Sequence, residues 1–210
     1  MGRVLCLVIG YVFGLFQTGY LYGKMNHIDI RNYGSGNSGT TNALRGLGKK
    51  AGLIVFAGDF LKTVFACLAA RIIFKASPDT DLYVLYAGLG VVLGHNFPCY
   101  LHFKGGKGIA SMAGILVSMD WRVTLVCAAL FLGAVIITRY VSLGSILVVI
   151  SFFIQMLIYG SRGDYRVSGE RIMEFFAVSF VLMAMAIWRH RANIKRLLSG
   201  TENKLWGGKK

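Results

Sequence analysis

Residues 32–52 carry the residue types of an anion-binding loop. Five glycines recur between Gly34 and Gly48, hydroxyl and amide side chains stand among them, and the cations Arg45, Lys49 and Lys50 close the segment. Glycine lets the backbone turn so that successive N–H groups converge, and such concavities bind anions. A guanidinium adds two parallel hydrogen bonds to a phosphate or carboxylate. The segment is therefore predicted to bind a phosphate group.

Other interpretations of this segment are weaker. Gly34, Gly36 and Gly39 match G-x-G-x-x-G, but that dinucleotide fingerprint requires a preceding strand, whereas an apolar run of spanning length precedes it here. The pattern of a P-loop does not occur in the sequence. A flexible polar loop without a ligand stays open, because loops are often rich in Gly and Ser.

A second segment of the same chemistry favours the ligand-binding interpretation. In residues 94–111, Lys104 and Lys107 flank two glycines, and His95 and His102 lie nearby. A helix that restarts near Gly108 would offer free N–H groups to an anion. Two basic, glycine-rich loops at one membrane face indicate an anionic ligand better than either loop alone.

Composition places the chain among polytopic α-helical membrane proteins. Of its 210 residues, 55% are hydrophobic and 15% are charged, against about 25% charged in a soluble domain. The net charge of +14 is assigned to basic cytoplasmic loops and anionic lipid rather than to nucleic acid. The four scattered cysteines show no metal or redox spacing. We predict a single membrane-embedded domain over residues 1–210.

The apolar runs predict about seven transmembrane helices. Their expected ranges are residues 4–22, 53–74, 82–97, 109–119, 123–138, 146–159 and 172–188. The fourth is short, so either it crosses with the help of flanking residues or it is a tilted or half-buried helix. Residues 193–198 look amphipathic. In the second run, Asp59 and Lys62 lie three residues apart on one helix face, as a structural ion pair or as support for a nearby site.

Basic residues predict the orientation of the bundle. Seven crossings would place fifteen Lys and Arg on one side and seven on the other, which also holds most of the acids. Positive charge concentrates in cytoplasmic loops. The N-terminus is therefore expected outside and the C-terminus in the cytoplasm, with both glycine-rich loops on the cytoplasmic face.

Three motifs stand along the chain. They are Gly34-Ser35-Gly36-Asn37-x-Gly39-x-Thr41-Asn42-x-x-Arg45; Gly94-His95-x-x-Pro98 through Phe103-Lys104-Gly105-Gly106-Lys107-Gly108; and Arg139-Tyr140-x-Ser142-Leu143 with His190-x-x-Asn193-Ile194-x-Arg196-Leu197 and Gly200-x-Glu202. Together they resemble the acyl-phosphate-dependent glycerol-3-phosphate acyltransferases of bacteria, the PlsY type, over nearly the full length. Ser38, Thr40, Cys99, Leu101 and His102 depart from the family pattern, and none removes a polar group that the chemistry needs.

The resemblance implies transfer of a fatty acyl group from acyl phosphate to the 1-hydroxyl of glycerol 3-phosphate. The products would be 1-acyl-glycerol 3-phosphate (lysophosphatidate) and phosphate, in the first acylation of phospholipid synthesis. Acyl phosphate is a mixed anhydride with a good leaving group, so no metal, cofactor or covalent intermediate is expected. The expected partners are the two substrates and the lipid bilayer, without nucleic acid, and an enzyme that produces acyl phosphate is a further candidate. The expected location is the bacterial inner (plasma) membrane.

The motifs supply the candidate site residues. The catalytic candidates are Ser35, Arg45, Lys104 and His190. The substrate-binding candidates are Gly36, Asn37, Gly39, Thr41, Asn42, His95, Gly105, Gly106, Lys107, Ser142 and Asn193. Ser35 and Arg45 would hold one phosphate, and Lys104 with the Gly105–Gly106 backbone would neutralise the second phosphate or the oxyanion. His190 and Asn193, three residues apart on one helix face, would orient glycerol 3-phosphate.

Two questions stay open at the level of sequence. The proton acceptor is His190, His95 or a phosphate oxygen of a substrate. An anion transporter or a lipid-binding scaffold could also carry basic loops in a helical bundle. No inverted repeat and no matching polar cluster on the outer face favour transport, and a scaffold does not explain two phosphate-type loops.

Overall fold

The computed structural model describes residues 1–206, and these fold as an all-helical bundle without a β-strand. The α-helices are α1 (Gly2–Leu15), α2 (Thr18–Met25), α3 (Thr40–Ile73), α4 (Thr80–Asn96), α5 (Ile109–Met119), α6 (Trp121–Thr138), α7 (Val141–Ser161), α8 (Ile172–Arg189) and α9 (Arg191–Leu198). Short 3₁₀ helices cover Ile30–Asn32, Cys99–Leu101 and Gly169–Arg171. The predicted all-α class is confirmed.

Six helical segments are long and apolar enough to cross a bilayer. They are Gly2–Met25, Thr40–Ile73, Thr80–Leu101, Trp121–Thr138, Val141–Ser161 and Gly169–Arg189. The remaining apolar helix, α5, begins and ends at the predicted residues but has only 11 residues. The number of crossings and the orientation of the termini therefore stay predictions.

Helix α5 spans only part of the bundle. Near its start the Ser111 hydroxyl lies 3.4 Å from the carbonyl oxygen of Asp59, halfway along α3. Near its end the carbonyl of Ser118 accepts a hydrogen bond from Arg71 in the last turn of α3. The loop before α5 therefore dips into the bundle, and this recess forms one wall of the site described below.

Close packing of α1 on α4 depends on glycine. A Cβ at Gly10 would lie 2.0 Å from the carbonyl oxygen of Ala87, and one at Gly90 would lie 2.4 Å from that of Leu7. Small residues at such spacing let helix backbones approach within a membrane, where packing rather than hydrophobic burial drives association. This contact fixes α4, which carries His95 in its last turn.

The first predicted span is wrong in one respect, because two helices replace one. The chain breaks between α1 and α2, where the carbonyl of Phe16 accepts a hydrogen bond from the Lys62 ammonium at 2.7 Å. The Gln17 side-chain amide also donates to the carbonyls of Gly94 and His95 at 3.3 and 3.0 Å. Polar partners from other helices stabilise the break, and a hydropathy pattern does not contain them.

The second predicted span begins earlier than its apolar run. Helix α3 starts at Thr40, so Thr41, Asn42 and Arg45 are helical rather than part of a loop. At Gly48 the backbone takes φ 87° and ψ −179°, which divides α3 at a kink. A positive φ favours glycine. Gly48, which the sequence assigned to a loop, therefore interrupts the longer helix α3.

The core and the outer surface divide as a membrane bundle requires. Phe152, Phe175, Leu85 and Ile115 pack in one buried cluster between α4, α5, α7 and α8. Large apolar side chains on the outside of α6, such as Ile136, are exposed. An apolar exterior of this kind suits lipid rather than water.

Candidate active site

A cavity of about 300 Å³ lies at the end of the bundle that holds both glycine-rich segments. The starts of α3, α5 and α7, the junction of α8 and α9, and residues 202–205 form its walls. The predicted site residues that line it are Ser35, Asn37, Gly39, Thr41, Asn42, Arg45, His95, Lys107, Ser142, His190 and Asn193. A second, more polar opening shares Ser35 and Asn37 and adds Gly36, Lys104 and Gly105. Residues from three distant motifs therefore meet in one place.

Asn42 holds the first glycine-rich loop in shape. Its amide nitrogen donates to the carbonyls of Ile30 and Tyr33 at 3.0 and 2.9 Å, and its amide oxygen accepts from the backbone N–H of Ser35 at 2.9 Å. A Cβ at Gly34, where φ is +56°, would lie 2.4 Å from that oxygen. The structure thus shows Asn42 presenting Ser35, whereas the sequence suggested direct substrate contact.

The start of α3 offers donors to the cavity. The first N–H groups of a helix lack acceptors within the helix, and its dipole favours an anion there. Thr40 and Thr41 line the cavity, and the buried Thr40 hydroxyl has no hydrogen-bond partner among the described residues. Arg45 stands one turn further on and donates to the carbonyls of Asn203 and Lys204 at 3.1 and 3.3 Å. This arrangement can receive a phosphate.

The second glycine-rich loop works differently from the prediction. The N–H groups of Gly105 and Gly106 donate to the carbonyls of Asn96 and His95 at 3.1 and 3.0 Å, so they do not face an anion. A Cβ at Gly106 would lie 2.0 Å from His95 Nε2, and Gly106 lines neither opening. The carbonyls of both glycines accept hydrogen bonds from Arg189. The glycines therefore serve close packing, and Arg189 is a cation of the site that sequence reasoning missed.

The two lysines of this loop occupy different surroundings. Lys104 is exposed at the second opening, whereas Lys107 is half-buried in the cavity and donates to the Asn193 amide oxygen. Burial lowers the pKa of Lys107 to about 8, with nearby arginines adding to the shift and Glu202 opposing it. Lys107 is therefore a charge whose state can change just above neutral pH.

Glu202 is a further residue that the predicted site did not include. Its carboxylate accepts hydrogen bonds from Ser142 Oγ at 3.0 Å, from Asn193 Nδ2 at 2.8 Å and from Arg196 Nε at 2.7 Å. The side chain is 5% exposed, and the backbone N–H of Leu205 donates to the carbonyl of Arg139. The C-terminal segment thus closes one wall, although only the Gly-x-Glu motif indicated it.

The sequence suggested that His190 and Asn193 share one helix face, but in the structure His190 lies outside the helix that carries Asn193. It stands at the junction where α8 ends and α9 begins, and Asn193 follows on α9. His190 Nδ1 lies 2.8 Å from the carbonyl oxygen of Ala186, which can only accept, so Nδ1 carries a proton. Burial first and Lys107 second lower the pKa of His190 to about 4. The imidazole is therefore neutral at pH 7, with an unprotonated Nε2 available as a proton acceptor.

The predicted pairing of Asp59 and Lys62 is confirmed at 2.7 Å. Both side chains are buried, and Asp59 also lines the cavity. Lys62 contacts His95 as well, so the pair lies directly behind a site residue.

Comparisons with known proteins agree over the whole chain. The family model described as Glycerol-3-phosphate acyltransferase matches residues 4–200. Glycerol-3-phosphate acyltransferase of Thermoanaerobacter sp. (strain X514) is 40% identical over 98% of this chain and 96% of the relative. The protein of that name from Clostridioides difficile (strain 630) is 42% identical over 96% of this chain and 95% of the relative.

Two crystal structures of PlsY (YgiH), described as an integral membrane glycerol 3-phosphate acyltransferase, share the fold. The glycerol 3-phosphate form superposes with a TM-score of 0.84 at 36% identity and covers 99% of this chain and 96% of the other. The lysophosphatidic acid form gives 0.82 at 35% identity, with 97% and 95% covered. The chain described here therefore belongs to the glycerol-3-phosphate acyltransferase family of integral membrane proteins.

Proposed function

We propose that this protein transfers a fatty acyl group from acyl phosphate to the 1-hydroxyl of sn-glycerol 3-phosphate. The products are 1-acyl-glycerol 3-phosphate (lysophosphatidate) and inorganic phosphate. The single observation that carries the proposal is a cavity that joins cationic and hydroxyl side chains to an apolar wall in a membrane protein. The related PlsY structures, described as glycerol 3-phosphate and lysophosphatidic acid forms, support an acceptor and a product of this kind.

The two halves of the cavity suit the two parts of an acyl phosphate. The cations Arg45 and Lys107 and the start of α3 mark the polar half, and the apolar wall consists of Leu44, Phe56, Phe131, Val135, Val141 and Leu205. A phosphate bound at Ser35 and Arg45 would let a fatty tail follow the apolar wall towards the lipid. Acyl phosphate combines those two chemistries in one molecule, which supports it as the donor.

We place glycerol 3-phosphate in the second opening. Lys104, Ser35 and Arg189 line this opening, and its other groups are mostly polar. Because the two openings share Ser35 and Asn37, an acceptor in one would meet a donor in the other at that edge. Bringing two reactants together in this way is itself a large source of rate enhancement.

The chemical step needs only positioning and charge stabilisation. The 1-oxygen of glycerol 3-phosphate forms a bond to the acyl carbon, and the bond from that carbon to the phosphate oxygen breaks with its electron pair leaving on phosphate. The hydroxyl proton passes to His190 Nε2 or to a phosphate oxygen of a substrate. Arg45 and Lys104 would neutralise charge that develops on the phosphate and the oxyanion.

The site is proposed to face the cytoplasm of a bacterial cell, in the inner membrane. The end of the bundle that holds the cavity carries the basic loops from which the orientation was predicted. Acyl phosphate hydrolyses readily and its tail is apolar, so an enzyme that produces it at the membrane is a candidate partner.

The test is turnover by the purified protein in lipid nanodiscs, with palmitoyl phosphate and glycerol 3-phosphate and no added metal. We expect phosphate release that requires both substrates and yields lysophosphatidate in equal amount, while glycerol in place of glycerol 3-phosphate gives none. Palmitoyl-CoA is the matched donor control. Turnover with palmitoyl-CoA but not with palmitoyl phosphate would overturn the donor assignment, and inactivity of folded protein with both would overturn the proposed function.

A further inference from the structure

Residues 201–205 form a strap across one wall of the cavity. At its start, the N–H of Thr201 donates to the carbonyl of Arg196 on α9 at 2.8 Å. At its end, the N–H of Leu205 donates to the carbonyl of Arg139, between α6 and α7, also at 2.8 Å. Two backbone hydrogen bonds therefore join the strap to the elements on either side of it.

Glu202 is the side chain that anchors the strap. Its Oε1 accepts hydrogen bonds from Ser142 on α7 at 3.0 Å and from Asn193 on α9 at 2.8 Å. Its Oε2 accepts from Arg196 Nε at 2.7 Å, and the side chain is 5% exposed. Removing this carboxylate would leave the buried donors of Ser142 and Asn193 without their acceptor, which is costly. The position of the strap therefore depends on Glu202.

The strap in turn holds the guanidinium of Arg45. Arg45 Nη2 donates to the carbonyl oxygens of Asn203 and Lys204, the two residues that follow Glu202, at 3.1 and 3.3 Å. Within residues 1–206, Nε and Nη1 of Arg45 donate to no protein acceptor. A guanidinium carries five N–H donors, so holding it at Nη2 leaves the N–H groups of Nε and Nη1 for a ligand in the cavity.

Holding Arg45 in advance favours the binding of a ligand. The residue is exposed, and a long arginine side chain loses rotamer freedom when it is fixed in one conformation. Where the protein has already fixed the side chain, this loss of entropy no longer opposes binding. Carbonyl oxygens fix the guanidinium without placing a carboxylate against it, so its charge stays available to a phosphate.

We propose that the strap is a positioning element of the reaction. Glu202 anchors it, and the carbonyls of Asn203 and Lys204 orient Arg45 towards the phosphate of the acyl donor. Glu202 thus acts through Arg45 and not by contact with the donor. The identity of the donor rests on the proposed function, whereas the contact between the strap and Arg45 does not.

The first experiment measures KM for palmitoyl phosphate in Glu202→Gln, which keeps the shape of the side chain but places an amide N–H donor where a carboxylate oxygen accepted. If Glu202 anchors the strap, KM should rise by about three- to tenfold, because Arg45 is less well held. If only its charge mattered, KM should fall, since a negative charge near Arg45 and Lys107 opposes phosphate binding. An unchanged or lower KM in folded protein would overturn the proposal. The matched control is Glu170→Gln, which removes an exposed acid at the opposite end and should leave KM within about twofold.

The second experiment asks whether Glu202 acts through Arg45. Two residues that act along one path give effects that do not add in a double-variant cycle. We expect Glu202→Gln to raise KM in the wild-type background and to cause no further rise in the Arg45→Ala background. A rise of the same size in both backgrounds would show that Glu202 supports the site in another way, and the positioning role would be wrong.

A second pair of variants decides the question if Glu202→Gln does not fold. Leu205→Pro and Leu205→Ala both shorten the apolar side chain, but only proline removes the N–H that donates to Arg139. We expect KM for palmitoyl phosphate to be about threefold or more higher in Leu205→Pro than in Leu205→Ala, and this difference to vanish in the Arg45→Ala background. Equal KM values for the two variants in folded protein would contradict the proposal.

Amide hydrogen exchange measures the strap without turnover. In lipid nanodiscs, the Leu205 amide should exchange slowly in the wild type, and Glu202→Gln should accelerate this exchange by about tenfold or more, because the strap opens locally. Glu170→Gln should leave the rate unchanged. Fast exchange of Leu205 in the wild type would show that the strap is not held, and would overturn the proposal. Inactivity with palmitoyl phosphate would refute the proposed function and leave the exchange rates readable.

Discussion

The two polar ends of the bundle differ in how many of their cations are paired with acids. At the end away from the cavity, arginines pair with acids: Arg3 with Glu174, Arg71 with Asp81, Arg122 with Asp120 and Asp164, and Arg171 with Asp79. At the cavity end, Arg31 pairs with Asp29 and Arg196 with Glu202, but Arg45, Lys104, Lys107 and Arg189 have no carboxylate oxygen within 4.0 Å among residues 1–206. The ion pairs of the first end connect helices and loops, whereas the unpaired cations of the second end can bind an anion.

The hydrogen bonds of the cavity cations explain how they are held in place. Arg45 donates to the carbonyls of Asn203 and Lys204, and Arg189 donates to those of Gly105 and Gly106. Carbonyl oxygens satisfy guanidinium donors without cancelling the charge. A phosphate that enters therefore meets oriented cations that, within residues 1–206, are not held in a direct ion pair, which would have neutralised them.

The largest expected effect comes from His190, which stays neutral among these cations. His190→Gln removes the unprotonated Nε2, and we expect kcat to fall by about 100-fold or more if this nitrogen accepts the proton. Because the pKa of His190 is lowered to about 4, the wild-type rate should not lose an essential base as pH falls through 6.5. The exposed His102, replaced by Gln, is the matched control. Near-wild-type kcat of His190→Gln across pH would assign the proton to a substrate phosphate.

The next effect concerns the charge of Arg45, which has no direct ion-pair partner among the described residues. Arg45→Ala should raise KM for a phosphate substrate by about 10- to 100-fold, because it removes hydrogen bonds between charged groups. We expect no loss of thermal stability, since the variant relieves repulsion among the cavity cations. Arg45→Lys keeps the positive charge but loses the two parallel hydrogen bonds of the guanidinium. Its KM should lie between those of the wild type and Arg45→Ala. An unchanged KM in Arg45→Ala would show that this unpaired cation does not bind a substrate phosphate, and the functional difference between the two ends would not hold.

The smallest effect on activity is expected at the opposite end. Asp79 accepts hydrogen bonds from Arg171 and from the backbone and hydroxyl of Ser168, and it is buried. Asp79→Asn should lower the temperature of thermal unfolding and leave kcat and KM within about twofold of the wild type. The reason is that the Arg171–Asp79 ion pair touches no cavity group. A large change in KM with unchanged stability would show that this end also shapes the site.

Local sequence determined much of this protein. Long apolar runs require helices in a membrane, because no water is present to satisfy backbone groups there. The helical periodicity placed Asp59 and Lys62 on one face, and α5 begins and ends where its apolar run does. Residue chemistry also identified most of the polar side chains that line the cavity, although their roles stay predictions.

Only the tertiary structure decided how those groups are used. Gly105 and Gly106 look like anion-binding residues in sequence, but α4 takes their N–H groups and His95 occupies the space that a side chain would fill. Glu202 returns to Ser142 across 60 positions of the chain, and Lys62 reaches the helix break at Phe16. Hydrogen bonds between distant segments depend on the packing of whole helices, and no local pattern of hydropathy or spacing records that packing.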